Sequence, residues 1–389
     1  MGKIKEKYNM VVVLLLIGVL LLGGIMYYML IASKKPGKLK NMRRIICTMG
    51  NVKNGIYDES IIKWCDLPIS SRLEQGGVPN NMLDITHPAV VLLPKPWNGY
   101  DVWLAATPYP EIIGADAEIY ENTSIFHACT HDSAFPSKFT AIKHNPIIYG
   151  EEAKYNSDPE LFMDDDSTMY VITRKCKGPG YFAKIVLQQS RDGENWSYPV
   201  TLLKTGRLSL CPCLLKVGKR YRIYMFNTHF DERYSRYIGG IITDNIEIWE
   251  SESLSHPNFH LVKYVKWNNI SNVWHGDVVF YHHKYYMLYC GTNYNYKMLY
   301  GIGHVIDTFK YLWLAVSDDG YNFRAFPKPI LKRSGIYRPT LIIKNDIMTV
   351  YFATENSYIG KDRKRYPGGN RVGLFSVSLD DLIRKENSK

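Results

Sequence analysis

The chain is 389 residues long, 46% hydrophobic and 22% charged, an ordinary globular composition that excludes the disordered and fibrous classes. Its net charge of +11 hints at a nucleic-acid footprint, but residues 1–44 hold nine basic residues against Glu6 alone, which leaves 39 basic and 36 acidic residues, or +3, on the rest. That balance is too even for a phosphate-tracking surface, so no nucleic-acid partner is expected.

In chain order, residues 1–9 form a short basic tail, and Met10 to Ala32 is an uncharged run of 23 residues. At about 1.5 Å per residue such a run crosses the hydrocarbon core, and it reads as a single transmembrane helix and signal-anchor. A cleaved signal peptide has a shorter apolar region of about 7 to 15 residues followed by small residues. Here the run ends in Ser33-Lys34-Lys35, and residues 33–44 follow as a basic juxtamembrane tether. Three basic residues precede the run and six follow it, which by flanking charge alone keeps the large C-terminal part in the cytoplasm, although long domains often translocate regardless of flanking charge. Seven cysteines (Cys47, Cys65, Cys129, Cys176, Cys211, Cys213, Cys290) are scattered and show neither a disulfide framework nor paired zinc spacing.

After the anchor one short pattern recurs five times: His87-Pro88-Ala89-Val90-Val91, Asp158-Pro159-Glu160-Leu161-Phe162, Cys211-Pro212-Cys213-Leu214-Leu215, His275-Gly276-Asp277-Val278-Val279 and Arg338-Pro339-Thr340-Leu341-Ile342. Each copy is followed by a second aromatic-rich strand, then by a third that runs into a polar turn. The turns are clearest at Ser190-Arg191-Asp192-Gly193 and Ser317-Asp318-Asp319-Gly320, with Asp244-Asn245 as the corner of the third repeat. Short fourth strands are expected at residues 145–148, 200–203, 260–262 and 329–331. Four strands per unit at a period of 53 to 71 residues is the signature of an all-β, five-bladed β-propeller, here following the transmembrane helix and spanning 45–389, with blades starting near 87, 158, 211, 275 and 338. The fifth unit lacks an outer strand, and the segment from Arg44 to about Trp64 is expected to supply it.

First strands line a propeller's channel, so candidate chemistry sits at their starts and at the adjoining strand ends. The starts read His87, Asp158, Cys211, His275 and Arg338, and the positions two residues on, facing the same way, read Ala89, Glu160, Cys213, Asp277 and Thr340. Other strand ends add Tyr109, Glu121, Arg174, Asn227, Asn293, Glu355 and Arg371. Cys211 and Cys213 read first as small buried hydrophobes, with a nucleophile or metal-ligand role as the alternative. Arg338 fits a clamp on a substrate carboxylate and a buried pair with Asp158 or Asp277 equally well.

Five blades, Ser157-Asp158-Pro159 and the Asp-Gly-x-x-Trp corner resemble the five-bladed propeller glycosidases of the arabinanase and β-xylosidase type, glycoside hydrolase family 43 and its family 32-like relatives. The resemblance implies a base or nucleophile in blade one, a tuning aspartate in blade two and a glutamate acid in blade three. Asp158 stands at the second of these positions, but the first is His87, with Asp84 three residues earlier, and the third is Cys211. Two carboxyl groups must flank a glycosidic bond, so Glu121, Glu355 or Asp231 must enter the site or hydrolysis is not the activity. His275 resembles a channel histidine that faces a structural metal in some of these enzymes; with Asp277 and Glu160 it could form a mixed nitrogen and oxygen site. No cofactor is required on this reading beyond a structural Ca2+ in the channel. The expectation is a membrane-anchored glycoside hydrolase acting on a polysaccharide or glycan. Asp158, His87, Asp84, Glu121 and Glu355 would be its catalytic residues, and Arg338, Tyr109, Arg174, Asn227, Asn293 and Arg371 its substrate-binding ones. The alternative is a non-catalytic carbohydrate-binding propeller serving polysaccharide assembly or recognition.

Overall fold

A computed structural model of the protein describes residues 55–68, 85–108, 121–130, 135–148, 155–176, 183–205, 209–230, 241–268, 273–291, 311–333, 336–355, 358–359, 365–366 and 370–387. These residues belong to one compact unit, Asn54–Lys389. Among them no helix is long and apolar enough to cross a membrane. The expected tail, anchor and tether at 1–9, 10–32 and 33–44 lie outside the described residues.

The first strand, β1 (Lys63–Trp64), is the last blade's outer one, as shown below. Blade one comprises β2 (Ile85–Trp97), β3 (Tyr100–Pro108), β4 (Ser124–Ala128) and β5 (Thr140–Ala141), and blade two comprises β6 (Tyr155–Met163), β7 (Met169–Cys176), β8 (Ala183–Ser190) and β9 (Val200–Thr205). Blade three is β10 (Ser209–Val217), β11 (Arg220–Phe230), β12 (Ile241–Ser251) and β13 (His260–Tyr264). In blade four, β15 (Val273–Tyr281), β16 (Lys284–Gly291) and β17 (Tyr311–Ser317) are joined by the short β14 (Lys266–Asn268), β18 (Asn322–Ala325) and β19 (Leu331–Lys332). Blade five is β20 (Ile336–Lys344), β21 (Ile347–Glu355) and β24 (Asn370–Ser378), with a small hairpin of β22 (Tyr358–Ile359) and β23 (Arg365–Tyr366) between the last two. The first strands pack in cyclic order, β2 on β6, β6 on β10, β10 on β15, β15 on β20 and β20 on β2. This is a five-bladed β-propeller.

The ring is closed by β1, which pairs antiparallel with β24 and completes the fifth sheet. The same segment bonds to both flanking blades. Asp66 N donates to Ser137 O (2.6 Å) on the blade-one side, and Ile56 N and Tyr57 N donate to Pro329 O and Ile330 O (2.9 Å each) in blade four. Beyond β24 the chain ends in a short helix, α1 (Leu379–Asn387), which turns Leu379 and Leu382 inward. Apolar faces pack between blades: Trp103 and Ile125 of blade one meet Met169 and Val171 of blade two, and Ile172 and Ile185 meet Ile223 and Met225 of blade three.

Two expected features are corrected. Residues 145–148 are not a strand; the fourth strand of blade one is Thr140–Ala141, and Asn145 mimics a strand with its side chain, accepting from Ile125 N (2.8 Å) and donating to Ile125 O (2.7 Å). Asp244-Asn245 is not a corner but lies within β12, where Asn245 pairs with Asn227.

A β-bulge interrupts the pairing of first and second strands at the same place in every blade: Thr86/Ala89, Ser157/Glu160, Leu210/Cys213, Val273/His275 and Tyr337/Pro339. Proline follows the bulged residue in four repeats, where it lacks the N–H that a ladder would require. His87, Asp158 and Cys211 adopt φ of 53°, 53° and 45°. Such left-handed conformations are costly for residues with a Cβ and persist where the surroundings impose them, typically at functional sites. Bulges re-aim side chains, and here they turn five towards the axis.

Candidate functional site

All five bulge residues are buried, with His87 at 3% exposure and Asp158, Cys211, His275 and Arg338 at 0%. They touch one another across the axis. Asp158 Oδ1 lies 3.4 Å from His87 Nε2, 3.5 Å from His275 Nδ1 and 3.9 Å from Cys211 Sγ. Its other oxygen, Oδ2, accepts from Arg174 Nε (2.7 Å), whose Nη2 also donates to Ser157 Oγ (3.1 Å). Tyr337 packs its ring 5.1 Å from that of His87 and 4.4 Å from that of His275.

In the tautomer that carries its proton on Nδ1, His87 donates to Thr107 Oγ1 (2.7 Å), Thr107 passes its own proton to Thr86 O (3.4 Å), and the Nε2 lone pair faces Asp158. Burial pushes His87 down to about 4, with Asp158 opposing the shift, and pushes His275 well below the usual histidine range. Both rings are neutral near pH 7. Burial would raise the Asp158 carboxyl, but the His87 ring, charged at the acid pH where the carboxyl would titrate, and the Arg174 guanidinium outweigh it and hold that carboxyl well below the usual range. A neutral imidazole and a carboxylate aiming lone pairs at one another suit a shared cation.

One ligand atom from each of His87, Asp158 and His275 lies within 4.8 Å of the others, and Glu160, Cys213 and Asp277 form a second such set. His275 therefore stands with His87 and Asp158 rather than with Asp277 and Glu160 as expected. The second set does not suit the expected Ca2+, which takes six to eight oxygens. Arg338 donates to Glu160 Oε2 (3.0 Å) and Pro88 O (2.7 Å), and Asp277 accepts from Thr340 Oγ1 (2.8 Å), Leu341 N (2.9 Å) and Val278 N (2.7 Å). A guanidinium, not an oxygen cage, provides the positive charge at that level.

The other expected residues divide. Glu121 is buried, within electrostatic reach of Arg174, and its carbonyl accepts from Asn156 N (2.7 Å). Arg174 and Arg338 are structural partners of carboxylates rather than open substrate contacts. Asn227 bonds to Ser209 (2.6 Å) and Asn245 (2.9 Å). Arg371 is exposed and stacks on Trp64 at the outer edge of blade five, away from the axis. Asp84, Tyr109, Asn293 and Asp231 lie outside the described residues, as does the side chain of Glu355. Sequence reasoning missed Thr107 and Tyr337, each at a strand end or beside a repeat position, and used Ser157 only as part of the Ser-Asp-Pro run. It read Cys211 first as a small buried hydrophobe and only second as a nucleophile or metal ligand; its Sγ contacts His275 Nδ1 and accepts from Arg338 Nε (3.2 Å).

No family model matches the sequence. The A type blood N-acetyl-alpha-D-galactosamine deacetylase of Flavonifractor plautii is 33% identical over 122 residues, which is 30% of this chain and 15% of that protein. The crystal structure of an N-acetylgalactosamine deacetylase from F. plautii in complex with blood group B trisaccharide superposes with a TM-score of 0.61 at 17% identity, covering 82% of this chain and 95% of that one. RS223-β-xylosidase gives 0.51 at 12% identity over 77% and 95% of the two chains, and sucrose-6-phosphate hydrolase from Lactobacillus gasseri gives 0.51 at 11% over 77% and 62%. At these identities the likeness is one of fold.

Proposed function

We propose that the chain is a carbohydrate hydrolase whose site is a divalent-cation centre of His87, Asp158 and His275, and that the bond it breaks is the amide of an N-acylated amino sugar. The observation that carries this reading is the convergence of two neutral imidazoles and one carboxylate within 4.8 Å on the axis. A bound cation supplies Lewis acidity towards a carbonyl and an acidified water. Thr107 fixes the ring of His87 so that Nε2 faces inward, and Arg174 holds the outer oxygen of Asp158 so that Oδ1 does the same. Such outer partners set ligand orientation and basicity. Glu121, beside Arg174, is the described carboxylate suited to carry a proton between water and the leaving nitrogen. The partial likeness to a named deacetylase supports the choice of bond.

Glycosidic-bond hydrolysis is the second reading, favoured by the fold shared with a β-xylosidase and by Glu121 at the site's edge. There Asp158 tunes the pair, His87 or Asp84 assists, and Glu121 or Glu355 is the acid. On either reading the ligand is a glycan, residues 10–32 anchor the chain in a membrane, and the propeller works on the extracytoplasmic side.

Full-length protein in detergent, stripped of metal and reloaded with zinc, manganese or cobalt, decides between these readings when offered N-acetylated glycans and simple glycosides. Metal-dependent acetate release that falls at least 100-fold in Asp158→Asn and His275→Ala is expected. Release of sugar without acetate would establish the glycosidase instead, and retained glycan binding with neither product would leave a lectin.

A further inference from the structure

The repeat column brings a further donor beside this centre, Cys211, whose Sγ contacts His275 Nδ1 and lies 3.9 Å from Asp158 Oδ1. We propose that the Cys211 thiolate is an additional protein ligand of this centre, which makes the site selective for thiophilic cations such as zinc over magnesium, calcium or manganese; the inference rests on the metal-centre reading above.

Geometry carries it. Zinc binds nitrogen and oxygen at about 2.0–2.1 Å and sulfur at about 2.3 Å, so the edges of its tetrahedron measure roughly 3.4 Å between nitrogen or oxygen donors and roughly 3.6 Å to sulfur. The distances from Asp158 Oδ1 to His87 Nε2, His275 Nδ1 and Cys211 Sγ are 3.4, 3.5 and 3.9 Å. Sγ also lies 2.5 Å from His275 Nδ1, shorter than the roughly 3.6 Å edge, so these two donors would have to part by about 1 Å for a cation to enter between them. Each donor comes from a different blade, and Cys211, at φ 45°, sits on a bulge of the same kind as those that aim His87 and Asp158 inward in blades one and two. Arg338 Nε donates to Sγ (3.2 Å), a bond that strengthens when sulfur is anionic. Two anionic donors, Asp158 and Cys211, then match the charge of a divalent ion. Cys213 is different, since its Sγ is turned to Cys211 O (3.4 Å) and Gly276 O (3.2 Å) at the lower level.

On binding, the S–H bond breaks, the proton leaves to bulk water and a sulfur–metal bond forms, with no change of oxidation state. Soft thiolate favours zinc, whereas carboxylate and carbonyl oxygen suit magnesium, calcium and manganese. With four protein donors, a bound zinc would admit a substrate carbonyl only by expanding from four ligands to five.

Metal-free full-length protein in detergent is titrated with cobalt(II) chloride and followed by absorption. Wild type should show both visible d–d bands and a near-ultraviolet sulfur-to-cobalt charge-transfer band. Cys211→Ser should keep the former and lose the latter, Cys213→Ser should keep both, and the zinc-over-manganese preference should fall at least tenfold in Cys211→Ser. Should Cys211→Ser not fold, zinc-edge X-ray absorption on wild type is the measure, with one sulfur neighbour at about 2.3 Å expected. Cobalt bound without a charge-transfer band, a band surviving in Cys211→Ser, or a zinc shell of nitrogen and oxygen alone would overturn this inference while leaving the three-ligand centre standing. Failure to bind cobalt or zinc at all would overturn both.

Discussion

Arg338 shows how differently one residue reads from sequence and in place. Its position at a strand start suits a substrate clamp, yet the side chain has no exposed surface, and its guanidinium is shared among Glu160, Pro88 O and Cys211. Removing one member of a buried ion pair strands the other, at a cost of about 3–5 kcal/mol. Arg338→Met should therefore lower the melting temperature by several degrees, and Glu160→Gln added to it should recover part of the loss, because burial and Asp277 already push the Glu160 carboxyl up towards its neutral form. Calorimetry of the two variants tests this; an unchanged Tm with a raised KM would restore the clamp. Asp192 gives a pH prediction at the same scale. Its carboxylate accepts from the amides of Glu194 (2.9 Å) and Asn195 (2.7 Å) and from Asn195 Nδ2 (2.8 Å), and those bonds hold it down to about 2. A depressed acid stabilises the fold above its unfolded value, near 3.9, and that contribution disappears as the pH falls through the folded value. Carboxyl-carbon NMR should show Asp192 titrating near pH 2 and the 190–196 corner loosening between roughly pH 4 and 2; a normal aspartate midpoint would show that the corner does not hold the charge.

Turns and bulges determine where each blade points its side chains. Gly193 occupies the Asp-Gly corner at φ +75°, and a Cβ there would lie 2.2 Å from the buried ring of Trp103 in the neighbouring blade. Gly99 has a similar φ of +89° with nothing within 4 Å. Alanine at Gly99 should thus show backbone strain alone, about 1–2 kcal/mol, while Gly193→Ala adds a clash with a rigid core residue and should cost about 2–4 kcal/mol. Chemical denaturation of both variants measures the difference, and equal losses would mean that Trp103 yields. These corners were legible because Asp-Gly has a fixed turn chemistry, and the bulge column was legible because proline follows it four times. What could not be read was pairing by side chain. Asn145-Pro146-Ile147-Ile148 has a strand's composition, but Asn145 makes the strand-like bonds with its amide. Asp244-Asn245 has a turn's composition, but Asn227 holds Asn245 inside a ladder. The axial cluster lay half in view. Its members appeared as a column, whereas the contact between Cys211 and His275, 64 positions apart, depends on the ring having closed.

Ring closure is a property of the whole chain, and it depends on a few residues far from the rest of their blade in sequence. Lys63 and Trp64 pair with Leu374 and Gly373, Cys65 N donates to Val372 O (2.9 Å), and Arg371 and Arg333 place their guanidinium groups over the Trp64 ring, each 5.1 Å from its centre. The bonds from Ile56 and Tyr57 to blade four, and from Asp66 to the blade-one side, tie three consecutive blades with one segment. Without it, β24 becomes an open edge and the last blade has three strands, an arrangement that both loosens the ring and invites edge pairing. The axial site draws residues from all five blades, so it should fail together with closure. A chain beginning at residue 54 should retain cooperative melting and cobalt binding, because every described bond of the closing segment remains. A chain beginning at residue 69 should lose cooperative melting, aggregate and bind no cobalt. Supplying residues 54–68 as a separate peptide should recover part of the fold, since the missing strand adds by backbone pairing. Equal stability of the two truncated chains would mean that four complete blades and a three-stranded fifth hold the axis on their own, and β1 would then be a surface strap rather than the closure of the ring.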